Sequence, residues 1–236
     1  MRTKQTKKRL RTVRRHRLAL ALAGVMAMPV AMAQSLPSGG SVVGGGANAT
    51  ISYSGNNATI NQSAQGAIIN WGSFSIGTGY GVTFNQPNAQ SVTLNRVIGF
   101  GYGISPSSID GTLTSNGTVF LINTAGITFG GGAAINVGGL IASTINMTDA
   151  DFNAGVASRN FAFNAGGSTA DITNYADITA AAGGTVAFLA QNITNFGDIS
   201  APGGTVAFGA ANAATITLDP FGDGLTQLTI TQPAAA

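Results

Sequence analysis

Beyond residue 33 this sequence of 236 residues contains no cysteine, no lysine, no glutamate and no histidine. Each absence excludes something. Without cysteine, an exported chain takes no stability from disulfides and relies on packing and backbone hydrogen bonds. Without cysteine and histidine, the common nucleophile–base pairs and zinc sites cannot be assembled. Without lysine there is no P-loop, and Gly99-Phe100-Gly101-Tyr102-Gly103 does not have dinucleotide-binding spacing. Charge is scarce as well. Arg96 and Arg159 stand against eight aspartates, a formal charge of −6 for this part of the chain.

The basic character of the full sequence comes from its start. Nine of the eleven basic residues fall within the first seventeen positions, followed by the apolar run Leu18–Met32 and the small-residue pattern Ala31-Met32-Ala33. A basic n-region, an apolar h-region and an A-x-A site predict a signal peptide over residues 1–33, with an extended n-region and cleavage between Ala33 and Gln34. The fifteen apolar residues, interrupted by Gly24 and Pro29, fall short of the ~20 that span a bilayer. The charge run is therefore a targeting device and not a nucleic-acid footprint.

What is present is periodic. "ITNYADITAAAGGTVAFLAQN" (172–192) is followed at once by "ITNFGDISAPGGTVAFGAAN" (193–212), an offset of 21 residues falling to 20 after one deletion. A period of this size marks a solenoid, whose repeats bury their apolar faces only against one another. The chain is too poor in leucine for leucine-rich repeats, and glycine every few residues forbids helical ones. Short bursts of Val, Ile, Thr and Phe between "NG", "GG" and "PG" turns read as a parallel β-helix. At ~20 residues per coil the chain would wind about ten coils, rising roughly 45–50 Å. Asparagines at strand ends (Asn61, Asn70, Asn85, Asn95, Asn123, Asn136, Asn146) are placed to satisfy turns or to ladder on one another. Residues 35–46 read as the start of an N-terminal cap. The last twenty residues stay strand-like without a polar cap, which suggests a longer or shortened solenoid.

The stretches "TINQSAQGAIINWGSFSIGTGYGVTFNQPNAQSVTLNRVIG" (59–99) and "SSIDGTLTSNGTVFLINTAGITFGGGAAINVGGLIASTINMTDADF" (107–152) closely resemble the N-terminal secretion domain of filamentous-haemagglutinin-type adhesins, the exported partners of bacterial two-partner secretion. The resemblance implies an all-β fold, a right-handed parallel β-helix with an N-terminal β cap. The chain then divides into signal peptide (1–33), secretion domain with cap (34–152) and continuing coils (153–236). It further implies recognition in the periplasm by an outer-membrane β-barrel transporter with soluble peptide-binding domains, in a Gram-negative bacterium. The product is secreted or surface-held. Family members are adhesins, haemolysins or contact-dependent inhibition toxins, so a host-cell surface or glycan is a further expected partner. Asn95 and Arg96 of "LNRV", with Asn123, Gly126 and Ile127, match the family's secretion markers. Where the family has Asn-Pro-Asn-Gly-Ile, this chain has Asn123-Thr124-Ala125-Gly126-Ile127 and lacks the proline that presets a turn.

Arg96 lies in an apolar strand pattern and reads in two ways: as a contact for the transporter, or as an internal partner of carbonyls and an aspartate. Trp71 reads as a packing anchor between cap and coil. N-x-[ST] triplets at Asn48, Asn57, Asn61, Asn116, Asn146 and Asn192 arise freely in a Thr/Asn-rich β-protein. A β-helical polysaccharide lyase is the alternative from another class. It needs clustered carboxylates holding calcium and a base. The one close pair, Asp149 and Asp151, lies in "TDADF", which the resemblance puts at a coil boundary. The expectation is a non-catalytic protein without cofactor or metal.

Overall fold

The computed structural model describes residues 36–43, 48–166, 168–219 and 223–234. The expected signal peptide and its cleavage residues Ala31, Ala33 and Gln34 lie outside the described residues.

The chain winds as a parallel β-helix with three faces. The first face stacks Gly66–Trp71, Val92–Val97, Thr118–Ile122, Gly139–Ser143, Thr185–Ala190 and the opening half of Thr205–Leu218, all parallel. The second runs from Asn57–Gln62 through Gly81–Asn85, Thr112–Ser115, Ala134–Val137 and Asp177–Ala180 to Ile199–Ser200. The third, shorter face joins Ser107–Ile109, Ile127–Phe129, Ile172–Asn174 and Ile193–Asn195. The 20–21-residue repeat pairs residue for residue: Ile172 with Ile193, Ile178 with Ile199, Phe188 with Phe208.

Six strands stack on the first face, not the ten coils that a 20-residue period predicts. Six coils rise only about 24 Å. The early coils are longer, since Gly66, Val92 and Thr118 are successive neighbours along the first face. Between Ser143 and Ile172 the chain also leaves the helix altogether. Coil length is set by the loops at the corners, which do not obey the strand period.

That excursion contains an α-helix, Asp149–Ser158, in a chain expected to be all-β. Local chemistry explains it. Thr148 is the N-cap: its hydroxyl accepts from the Asp151 backbone N–H, and Asp149 and Asp151 sit in the first turn, where carboxylates favour the helix dipole. Arg159 ends the helix in the left-handed region (φ 61°), its N–H donating to the Gly155 carbonyl. Gly155 itself is required, because a Cβ there would come within 2.3 Å of the Phe161 ring.

The molecule therefore has two cores. One fills the coil interior, with Phe129, Phe188 and Phe208 stacked in a ladder at 5.6 and 5.3 Å between ring centroids. The other lies outside the first face, where Phe120 meets Phe152, Phe161 and Phe163 under the helix and the antiparallel pair Asn160–Phe163 and Thr205–Leu218. It explains why the first-face strands are buried on both sides along their whole length. Each fully buried phenylalanine contributes ~1.5–3 kcal/mol.

At the N-terminal end, Ser41–Val42 pairs antiparallel with Gly66–Trp71, and Ala49–Ser54 forms a hairpin with Asn57–Gln62. These cover the first coil. At the other end Thr226–Pro233 folds back antiparallel on Thr205–Leu218. Val206 (44 % exposed) and Phe208 (46 %) leave the interior ladder open on the last coil.

Candidate recognition site

The five expected marker residues lie on two neighbouring coils: Asn95 and Arg96 in a first-face strand, Asn123 and Gly126 in the corner after the next first-face strand, and Ile127 at the start of a third-face strand. Asn95 and Arg96 pair with Leu121 and Ile122, which places Asn123 just beyond them on the next coil. All five are buried: Asn95 and Asn123 are 0 % exposed, Ile127 1 %, Arg96 8 %, and Gly126 is buried with them.

Asn95 points into the coil interior. Its Oδ1 accepts from Trp71 Nε1 at 3.0 Å, and its Nδ2 reaches the Phe120 carbonyl at 3.3 Å. Trp71, itself fully buried, meets Phe74 edge-on at 5.4 Å and closes against Gly40 of the cap. An indole N–H buried without a partner would cost ~1–3 kcal/mol, so Asn95 makes that packing possible. Nearby, Gln62, Thr93 and Gln86 form a buried polar string that satisfies itself: Gln86 Nε2 donates to Thr93 Oγ1, and Thr93 Oγ1 to Gln62 Oε1.

Arg96 faces the opposite way, toward the excursion. Its Nε donates to Asn146 Oδ1 at 3.0 Å and Nη2 to the Met147 carbonyl at 2.8 Å. Nη1 serves both Asn70 Oδ1 (3.3 Å) and Asp149 Oδ1 (2.6 Å). The guanidinium thus ties two coils to the N-terminal end of the helix, and Asp149 serves as its counter-ion. Among the described residues no three acidic, histidine or cysteine side chains come together as a metal site.

The Asn123 turn closes without proline. Asn123 Oδ1 accepts from the Ala125 N–H at 2.9 Å, an Asx turn, and the Gly126 N–H donates back to the Asn123 carbonyl at 3.1 Å. Gly126 has φ 116°, a conformation that glycine adopts at no steric cost. Asn123 Nδ2 spends both hydrogens on the previous coil, at the Ser105 carbonyl and Ser107 Oγ, each 2.9 Å away. Ile127 then enters the interior.

The family resemblance singled out these five residues but not the partners that hold them. Asn70, Asn146 and Met147 reach Arg96 from 26, 50 and 51 residues away, and no local pattern signals such pairings. Asparagine ladders do form, at Asn61–Asn85 (2.8 Å) and Asn174–Asn195 (2.7 Å). Arg159 stands apart from this corner, donating to the Gln90 carbonyl at 2.7 Å.

A capped parallel β-helix with an extra-helical excursion defines the class of this protein, and a solved structure is similar to it. The crystal structure of the HMW1 secretion domain from Haemophilus influenzae superposes with a TM-score of 0.71 at 36 % identity, covering 85 % of this chain and 50 % of that one. The chain belongs to the TPS secretion domain family, whose model matches residues 33–234. It is similar to the Heme/hemopexin-binding protein of Haemophilus influenzae strain Rd, 47 % identical over 117 residues, which is half of this chain and 12 % of that protein. A second Heme/hemopexin-binding protein of Haemophilus influenzae is 46 % identical over 78 residues, 33 % of this chain and 8 % of its own length. The chain thus spans a small part of these relatives. It carries the secretion domain of a protein exported by two-partner secretion.

Proposed function

We propose that this chain is the amino-terminal module of a filamentous-haemagglutinin-type adhesin, read in the periplasm by an outer-membrane β-barrel transporter through its soluble peptide-binding domains. Asn95, Arg96, Asn123, Gly126 and Ile127 are the residues read, after removal of residues 1–33 between Ala33 and Gln34. The single observation that carries the reading is their burial. Five markers buried in the finished fold are accessible to another protein only before the fold closes over them, so recognition precedes folding. Strand addition then supplies main-chain hydrogen bonds, with the Asn123–Ile127 segment setting register. Folding beyond the outer membrane draws the chain outward. At ~0.1 kcal/mol per residue each coil contributes about 2 kcal/mol, enough to bias diffusion without a nucleotide.

The same module would serve a contact-dependent toxin or a haemolysin, because the cargo lies in other segments. The adhesin reading assigns a host-cell surface or glycan as the final target, and binding of the secreted protein to cells tests it. The transporter reading is tested with its purified periplasmic domains. Chain diluted from urea and captured before folding should bind at least about tenfold tighter than chain allowed to fold, a difference of ~1.4 kcal/mol. Equal affinity for both forms would overturn the order of events. Full-rate secretion of a variant whose coils cannot fold would overturn the role of folding in movement.

A further inference from the structure

Between the two marker clusters runs a segment that neither core absorbs. Residues 98–104 read Ile-Gly-Phe-Gly-Tyr-Gly-Ile, large apolar side chains alternating with glycine. Strict alternation over this length is the pattern of a half-buried strand, one face apolar and the other bare. The structure does not make it one. Gly99, Gly101 and Gly103 all take positive φ (76°, 89° and 106°), and the segment bends so that Gly99 lies against the Gly103 carbonyl. Ile98 is 52 % exposed, Phe100 59 % and Tyr102 99 %. Phe100 leans on Gly72 and Gly39, while Tyr102 projects into solvent.

The main chain, too, has few partners within the protein. The Ile98 N–H donates to the Trp71 carbonyl, and the next backbone donor to find an acceptor among the described residues is Ser107. No charge lies between Arg96 and Asp110. Both ends of the segment are fixed by the marker residues: it leaves the strand carrying Asn95 and Arg96, and Asn123 grips the Ser105 carbonyl where it returns.

We infer that residues 98–104 are a strand held in reserve, which adds to the open sheet edge of a protein partner bordered by an apolar groove. Extended, the segment spans about 23 Å and places Ile98, Phe100, Tyr102 and Ile104 on one face. The glycine face lets the partner's backbone or side chains approach closely. A lipid surface fits worse, because hydrocarbon would leave the exposed N–H and C=O groups unpaired, whereas a sheet edge pairs them. Releasing three glycines from positive φ meets no steric barrier. The partner's identity rests on the transporter reading above. The segment differs from the buried markers in being accessible after the coils have closed, so it accounts for whatever affinity the folded chain retains.

The test uses the folded, leader-free chain and the transporter's purified periplasmic domains, read by affinity and by amide hydrogen exchange. The inference expects weak binding by the folded chain that falls at least tenfold in Tyr102→Asp and is kept in Tyr102→Phe, both folding as the parent does. It also expects new protection at every second amide of residues 98–104. Binding unchanged in Tyr102→Asp would overturn the inference and leave the transporter reading standing. So would Tyr102-dependent binding without amide protection, which is side-chain docking alone, or Tyr102-dependent binding to phosphatidylcholine vesicles in place of the protein. Absence of binding by both folded and unfolded parent chain would overturn the two together.

Discussion

Arg96→Ala should destabilise the folded domain by about 4 kcal/mol, a figure assembled from what the guanidinium touches. The Met147 carbonyl loses its Nη2 donor, and with Met147 only 1 % exposed that orphaned acceptor costs ~1–3 kcal/mol. The aliphatic stem, packed with a side chain only 10 % exposed, gives up ~1–2 kcal/mol of burial. The ion pair adds little by itself. Asp149 is 42 % exposed, and water screens such a pair to below ~1 kcal/mol. Arg96→Lys keeps the charge but not the planar fork that serves four acceptors at once, so it should recover less than half of the loss. Urea unfolding followed by the fluorescence of Trp71, the single tryptophan, reads the change directly. Asp149→Asn is the companion measurement and should cost less than ~1 kcal/mol. A loss below ~1 kcal/mol in Arg96→Ala would refute the reasoning. A secretion defect with unchanged stability would show that Arg96 acts by direct contact alone.

Phe188→Ala should cost ~3–5 kcal/mol, since its ring is buried between Phe129 and Phe208. Phe208→Ala, at the open end of the same ladder, should cost less than half of that, and equal losses in urea titrations would contradict the open end. Asn123→Ala removes the acceptor for Ala125 and both donors to the previous coil. A loss of ~2–3 kcal/mol is expected, with Asn123→Asp recovering only the turn. Burial pushes the Tyr53 phenol above its ordinary 10.0 while its hydroxyl donates to the Pro37 carbonyl. The unfolded chain therefore ionises first. The contribution of Tyr53 is complete below pH 10 and is lost as pH rises through the higher folded value, a sensitivity that Tyr53→Phe should remove in alkaline melts.

The relation of this sequence to its structure varies from element to element. The Gly-Gly-Thr-Val-Ala-Phe repeat stated its own pairing, because in a solenoid the neighbour in space is the same position one period away. Asn123 was legible as a strand-end asparagine, while Gly126 was marked by the family resemblance; the turn they share is local, and both its hydrogen bonds close within four positions. The helix Asp149–Ser158 carried a readable signal too, Thr148 followed by Asp151 three residues on. The surrounding strand grammar obscured it.

The coil was readable from the chain alone: β-branched bursts, glycine corners and a 20–21-residue register are local or nearest-repeat properties. The number of coils, the cover on the outer side of the first face and the groups that meet Arg96 emerged from the folded molecule. Those depend on loop lengths at the corners and on contacts between segments 50 residues apart. Alternation states that a side chain is buried on one face or the other, but not which distant element comes to bury it.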